Sequence, residues 1–289
     1  MSATRAKNEL PPYAWNSPTT WGFLAEHLIA AVTVIVVIVF AIRGEAIISG
    51  EVWILFFVLW ITRSFFVAFG YHRYFSHRSF EFHPKIERPA TFLVALFCAL
   101  TGQKGVIWWA RTHRDHHKYS DKLGDPHSPI LYGFFESHIG WILRRNPPES
   151  PAKDWESRPE LVWLDKWHLL PFASLGALCF FLYGLEGLLV GFFVSTIWLF
   201  HCTATINSLS HLIGSRRYET NDQSRNFWLL ILFVIFGEQH HNNHHHNQIS
   251  ARQGEKWWEI DLAYYAIIAL YRLRIISKVK LGRGKVLQR

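Results

Sequence analysis

With 289 residues, 50% of them hydrophobic and 16% aromatic, the chain is either one large domain or a membrane protein. Long apolar runs alternate with charged blocks, the pattern of a chain whose solvent is partly lipid. The net charge of +8 comes without any nucleic-acid-binding motif, so Lys and Arg flanking membrane spans account for it and no nucleic-acid partner is expected.

The first twenty residues are polar and proline-bearing and lack the basic start, short apolar core and small-residue site of a cleaved leader, so none is expected. The first span is placed at 22–42. A short connection through Gly44 and Gly50 leads to the second, 52–69, where Arg63 is read as a packing or helix-pairing residue. His72 and His77 follow just beyond it. Their i, i+5 separation exceeds one helical face and implies that the helix ends or kinks between them.

In the next hundred residues, Ala90 to Leu100 is apolar but too short to cross, and reads as an interfacial or buried helix. Spans three and four, 169–184 and 187–206, are separated by Leu185 and Glu186 alone, which makes them an antiparallel hairpin. A ten-residue apolar run, 227–236, is again too short. A basic tail ends the chain. Cys98, Cys179 and Cys202 all sit in apolar stretches without CxxC spacing, so neither disulfides nor a cysteine zinc site is indicated.

The expected architecture is therefore an all-α integral membrane protein, a single domain of four transmembrane helices with a cytoplasmic helical cap, 70–168 and 207–289. Nearly all the Lys and Arg outside the spans fall on the cap side. The positive-inside rule thus puts the cap and both termini in the cytoplasm.

Two stretches carry the chemistry. His113-Arg-Asp-His116-His117 and His241-Asn-Asn-His244-His245 each place histidines at i, i+3 and i+4, which about 3.6 residues per turn bring to one helical face. Packed imidazoles repel if charged and gain nothing if left unpaired; a metal resolves both problems. Adjacent His116 and His117 diverge by about 100°, so one helix can feed two ions, which suggests a dinuclear centre. Of seventeen histidines, nine group on the cap side: His72, His77, His113, His116, His117, His211, His241, His244 and His245. Asn207, four residues before His211, is placed to hold a metal-bound water.

Zn, Cu, Fe and Ni all suit nitrogen ligands. Nine imidazoles oversupply two closed zinc sites, whereas a pair of irons takes four or five ligands each. Asp115, Asp121, Asp125 and Glu238 are cast as partners that orient imidazoles. His27, His83, His168 and His201 are read as packing or interfacial residues, and His240 and His246 as flanking the second triplet without ligating.

The set His72-Arg-Tyr-Phe-Ser-His77, His113-Arg-Asp-His116-His117, Asn207-Ser-Leu-Ser-His211 and His241-Asn-Asn-His244-His245 closely resembles the membrane fatty acid desaturases of the stearoyl-CoA desaturase type. Asp125-Pro-His127-Ser and Gly133-Phe-Phe-Glu-Ser-His138-Ile-Gly-Trp141 match that family too, and the likeness covers about residues 50–250. The resemblance implies oxygen-dependent removal of two hydrogens from a saturated acyl chain, giving a cis double bond at delta-9. It implies two iron ions held by the nine histidines, with Asn207 reaching one through water. Gln103, Trp109 and Thr203 match residues lining the bent acyl tunnel, and Arg111 and Arg145 match contacts to a CoA head. The acyl carrier stays open among CoA thioester, acyl-carrier protein and intact lipid. Electrons would come from a separate ferredoxin or cytochrome b5-like donor. A related di-iron hydroxylase or alkane monooxygenase, and a histidine-rich metal transporter, are the competing readings.

Overall fold

The structure is a computed structural model, and it describes residues 10–144, 147–232 and 236–289. Among them, three helical runs are long and apolar enough to cross a membrane: Pro18–Ile42, Gly50–Ser76 and Leu169–His211. The first, α1, begins with Pro18 at a position where a helix needs no amide hydrogen.

α2 (Gly50–Phe66) does not stop where its apolar run ends. It widens into a π-helical stretch, Val67–Ser76, every residue of which is buried. A π-helix bonds i to i+5, and the His77 amide donates to the His72 carbonyl at 3.2 Å. The two histidines are thus one wide turn apart with their ring centroids at 5.0 Å. The expected break between them is replaced by a change of winding, which carries the helix to Ser76 and puts both rings on one side.

The third run is folded in two. Tyr183 and Gly184 leave helical geometry, and Gly184 adopts φ 60°, ψ −148°, a conformation open to glycine alone. Beyond this bend a π-helical stretch, Gly187–Val194, packs back against α8 (Leu169–Glu186) and leads into α9 (Ser195–Ser208). The approach is close: a Cβ on Gly187 would sit 2.4 Å from the Cys179 carbonyl, and one on Gly176 3.0 Å from the Phe192 ring. The hairpin expected from sequence is present, with its bend one residue earlier than the Leu185-Glu186 pair. Glu186 accepts from the Ser49 amide at 2.9 Å, so this bend and the α1–α2 connection share one end of the molecule.

Arg63 is buried between α2 and α9, where its guanidinium donates to Ser195 Oγ at 2.5 Å and Thr196 Oγ1 at 2.7 Å. It is the helix-pairing residue that its depth in the span implied. At the opposite end, α3 (Glu87–Ala99), α4 (Val106–Tyr119), α6 (Lys153–Glu156) and α7 (Pro159–Lys166) pack around the Val67–Ser76 stretch, with Tyr71, Tyr74, Phe75 and Trp155 fully buried among them, while α5 (Pro129–His138) packs on α9. α3, read as interfacial or buried, lies beside α2 with Phe97 stacked on Phe66 at 4.5 Å. The N-terminal segment joins this end, since the Ala14 amide donates to the Leu143 carbonyl at 2.7 Å.

The all-α expectation misses a small sheet. Antiparallel β1 (Phe80–Phe82), β2 (Ile276–Gly282) and β3 (Lys285–Gln288) are ordered β1-β2-β3, with Phe80 opposite Val279 and Lys280 opposite Val286. The basic tail hid a hairpin: Ile276-Ser-Lys-Val-Lys-Leu precedes Gly-Arg-Gly, and Gly282, Arg283 and Gly284 all take positive φ. The apolar run 227–236 is described in part: a 3-10 turn covers Trp228–Leu232, and residues 233–235 lie outside the described residues.

Because Arg63 joins two helices through charged hydrogen bonds, Arg63→Ala should destabilise the protein by about 2 kcal/mol. The check is a lowered melting temperature in detergent with unchanged metal content.

Candidate dinuclear metal centre

The nine histidines converge in two sets. His72, His77, His113, His117 and His244 have one nitrogen each within 4.8 Å of all the others, and so do His116, His211, His241 and His245. Helix geometry explains the division. On α4, His113 and His117 are i, i+4 neighbours and join the first set, while His116 points about 100° away and joins the second. On α10 (His241–His246) the pairing is reversed: His241 and His245 serve the second set and His244 the first. Each triplet is therefore split between two sites, as the divergence of adjacent histidines implied, and the sites adjoin where the His117 and His245 rings lie 4.5 Å apart.

Within the first set, Nε2 atoms face one another: His72 to His244 at 2.9 Å, His77 to His113 at 2.9 Å, and His117 to His113 and to His244 at 3.0 Å. In the second, His211 and His241 are 3.1 Å apart. Two nitrogens bound at right angles to one ion, with bonds of about 2.1 Å, would be about 3.0 Å apart, and a tetrahedral pair wider. The spacing fits a metal with more than four ligands.

Carboxylates behind the rings set the tautomers. His72 Nδ1 donates to Glu238 at 2.5 Å, His116 Nδ1 to Asp125 at 3.0 Å, His211 Nδ1 to Asp121 at 2.8 Å and His245 Nδ1 to Asp222 at 2.7 Å. With the hydrogen on Nδ1, each Nε2 presents a bare lone pair to the centre. The Nε2 atoms of His116 and His245 are buried with no hydrogen-bond partner among the described residues. Such orphaned acceptors cost about 1–3 kcal/mol each unless a cation meets them. The donor set therefore fits a pair of metal ions.

The electrostatics agree. Burial first, and neighbouring imidazoles second, hold His77, His113, His117, His241 and His244 well below their ordinary pKa. Burial lowers His245 to about 4 despite the opposing Asp222. All six are neutral at physiological pH, as ligands must be. Burial pushes the Asp125 and Asp222 carboxyls up, but His116 and His245 hold both below the usual carboxylate range.

Three of the four expected orienting carboxylates are in place. Asp115 is not; it accepts from the Glu149 and Ser150 amides at 2.7 and 2.8 Å and shapes a loop. Asp222 takes the fourth position, and sequence reasoning missed it because it lies in a polar loop without motif or periodicity. His127 packs on His116 with ring centroids 4.4 Å apart, and burial lowers its pKa to about 3. His138 and His201 pair with each other at 3.0 Å, and His27 bonds to the Phe23 carbonyl, all away from the two sets.

A cavity of about 270 Å³ leads to the histidines, reaching His72 and His113 of one set and His116 and His241 of the other. Gln103, Trp109 and Thr203 line it together with Asn207, and Gln103 donates to Thr203 Oγ1 at 2.9 Å. Arg111 is not among the lining residues; its guanidinium donates to the Pro148 and Ser150 carbonyls, each at 2.8 Å. Arg145 lies outside the described residues. On the far side, a polar depression bounded by Lys118, Lys122, Glu219 and Asp222 reaches His117 and His245.

Asp222→Asn should release the His245 tautomer and weaken metal binding roughly 10–100-fold. Elemental analysis of purified protein equilibrated with limiting metal reads the loss directly.

Comparison with known proteins accords with this site. Residues 51–274 match the fatty acid desaturase family. The chain is 37% identical over 230 residues to the sn-1 stearoyl-lipid 9-desaturase of Anabaena variabilis, covering 78% of this chain and 82% of that protein. It is 36% identical over 239 residues to Delta-9 acyl-lipid desaturase 2 of Arabidopsis thaliana, covering 77% and 74%. It is 32% identical over 254 residues to the hex-5-enoyl-[acyl-carrier protein] acetylenase of Moorena producens, covering 80% and 77%. A match across most of the chain, on a membrane-type helical scaffold that gathers nine histidines beneath an apolar cavity, identifies the protein as a member of the fatty acid desaturase family.

Proposed function

We propose that this oxidoreductase introduces a cis double bond at delta-9 of a saturated acyl chain carried by a membrane lipid, using two iron ions held by the nine histidines. The observation that carries this reading is the cavity that touches both histidine sets at once, so that an acyl chain within it passes beside both metals. The balance is fixed by chemistry. Two adjacent C–H bonds break and one C=C bond forms, while O2 takes two electrons from the substrate and two from a donor and, with two further protons, leaves as two waters. Bound iron supplies the oxygen activation that no side chain can.

The protein's own contribution is positioning and exclusion of water. Trp108, Trp109, Phe200 and Ile206 wall the chain, and the Gln103–Thr203 pair fixes a polar point beside it. Asn207 faces the same cavity as His116 and His241 of the four-histidine set, which supports its holding a water on the ion with fewer nitrogen ligands.

A lipid carrier is supported by the cavity mouth. Pro18, Thr19, Gly22, Gly102 and Leu169 line the cavity and are exposed, and Trp15, Trp21 and Trp167 beside them are exposed indoles of the kind that mark a membrane interface. Arg111, already held by backbone carbonyls, offers no free guanidinium to a CoA phosphate. The relatives from Anabaena and Arabidopsis are named for lipid-borne substrates.

A reading of four crossings with the cap on one side is supported by the two hairpins, α1–α2 and α8–α9, whose tips share one end, and by the N-terminal segment and β3 both joining the other. Cap-side Lys and Arg favour the cytoplasm, with a bacterial inner membrane as the bilayer. The polar depression over His117 and His245 suits electron entry from a separate ferredoxin or cytochrome b5-like donor.

Expression in a host lacking unsaturated lipids, with mass spectrometry of each lipid class, tests the reading. A new cis delta-9 acyl chain on intact lipid is expected; oxygenated products would make the protein a hydroxylase, and unsaturation first on CoA or acyl-carrier protein would overturn the lipid assignment. His116→Ala and His244→Ala should each abolish product while the protein still inserts, whereas His27→Ala should leave turnover within about twofold, since its half-buried ring packs on Phe23, Phe200 and His201 and belongs to neither histidine set.

A further inference from the structure

α11 (Leu262–Arg272) has one face that is accounted for and one that is not. Ala263, Ile267 and Tyr271 are buried in the cap, and Asp261 caps the helix by accepting from the Tyr264 amide at 3.0 Å. The opposite stripe carries Leu262, Tyr265 and Leu273, exposed at 36%, 46% and 69%. Immediately before the helix, Trp257, Trp258 and Ile260 are exposed at 85%, 56% and 41%. Lys256, Arg272 and Arg274 are exposed in the same segment.

The position of this surface along α2 indicates what covers it. A hydrocarbon core of about 30 Å takes about 20 helical residues at about 1.5 Å each, so a span that starts at Gly50 leaves the core near Phe69. α11 is fixed to α2 at that level: Ala263 packs with Ala68, Phe65 and Phe236, and Asp261 accepts from Arg73 at 3.0 Å. On the other side of α2, Phe66 stacks on Phe97 of α3 at the same depth. The two helices are joined below by the His83 amide, which donates to the Ile275 carbonyl at 2.8 Å. α11 thus lies across the end of a span with an aromatic and aliphatic stripe turned outward and cations beside it, the composition of a helix in the plane of a bilayer surface.

We propose that the 256–274 segment is a lipid-binding surface. α11 lies in the headgroup region with Trp257, Trp258, Tyr265 and Leu273 entering the acyl boundary, and Lys256, Arg272 and Arg274 contact anionic phosphate headgroups. The segment holds the cap at a fixed height over the bilayer. This rests on the reading that α2 crosses the membrane, and the test separates the two.

Single-cysteine variants Phe57→Cys, Glu219→Cys, Tyr265→Cys and Leu273→Cys of the full chain, whose native cysteines are buried, are spin-labelled in nanodiscs of phosphatidylcholine with or without phosphatidylglycerol. Collisions with O2 and with a water-soluble nickel chelate are then compared. The label at 57, midway along α2, should favour O2, and that at 219, on the aqueous face, the nickel. Labels at 265 and 273 should favour O2 several-fold. Phosphatidylglycerol should deepen them, and the Arg272→Gln, Arg274→Gln double variant should cancel that deepening. If 57 favours O2 while 265 and 273 favour nickel, or are shielded from both reagents as a second protein would shield them, the proposal is overturned although the span stands. If 57 favours nickel, the span itself is wrong. An unchanged depth on adding phosphatidylglycerol overturns the anionic-headgroup contact.

Discussion

Bare lone pairs on buried imidazoles are the constraint on which the structure depends. A neutral histidine inside a protein must place one ring hydrogen and one lone pair, and in this chain the carboxylates of Glu238, Asp125, Asp121 and Asp222 take the hydrogen on four of them. The lone pairs are left facing one another about a hydrogen-bond length apart, which is unfavourable without cations between them. The polypeptide around the centre holds those rings in place. Arg73, for example, braces Glu238 at 2.9 Å and Asp261 at 3.0 Å, so one buried cation supports both a ligand's partner and the start of α11.

Local winding turns a sequence of histidines into two sites. Had α2 stayed an α-helix, His72 and His77 would point about 140° apart, and the first set would lose a member. The π-helical stretch narrows that angle, and its awkward geometry is stabilised by burial of all ten of its residues. π-helical turns are uncommon and concentrate at functional positions for this reason.

The two sides of the centre differ in character. Toward the membrane it meets a cavity walled by tryptophan and phenylalanine, and toward water a depression of lysine, aspartate and glutamate. An apolar chain and a polar ligand therefore meet different surfaces of the centre. This sorting arises because the long apolar helices end at the histidines, so that the centre adjoins apolar helix on one side and polar loops on the other.

Much was legible in the sequence because it is written in short-range patterns. The apolar runs, the hairpin to within a residue or two of its bend, the depth of Arg63 and the nine histidines all follow from periodicity and length, which the chain itself determines. Three things came only from tertiary contacts. The assignment of each histidine to a set depends on where α4, α10 and the end of α2 meet. Asp222, assigned no role from sequence, orients an imidazole where Asp115 was expected to, since neither carboxylate's partner lies near it in the chain. The small sheet joins β1 to β2 across nearly two hundred residues, and no local pattern encodes a pairing over that distance. What the sequence by itself determined is which residues can ligate; which lone pairs meet, and through which carboxylates, is decided by packing that brings distant segments to one point.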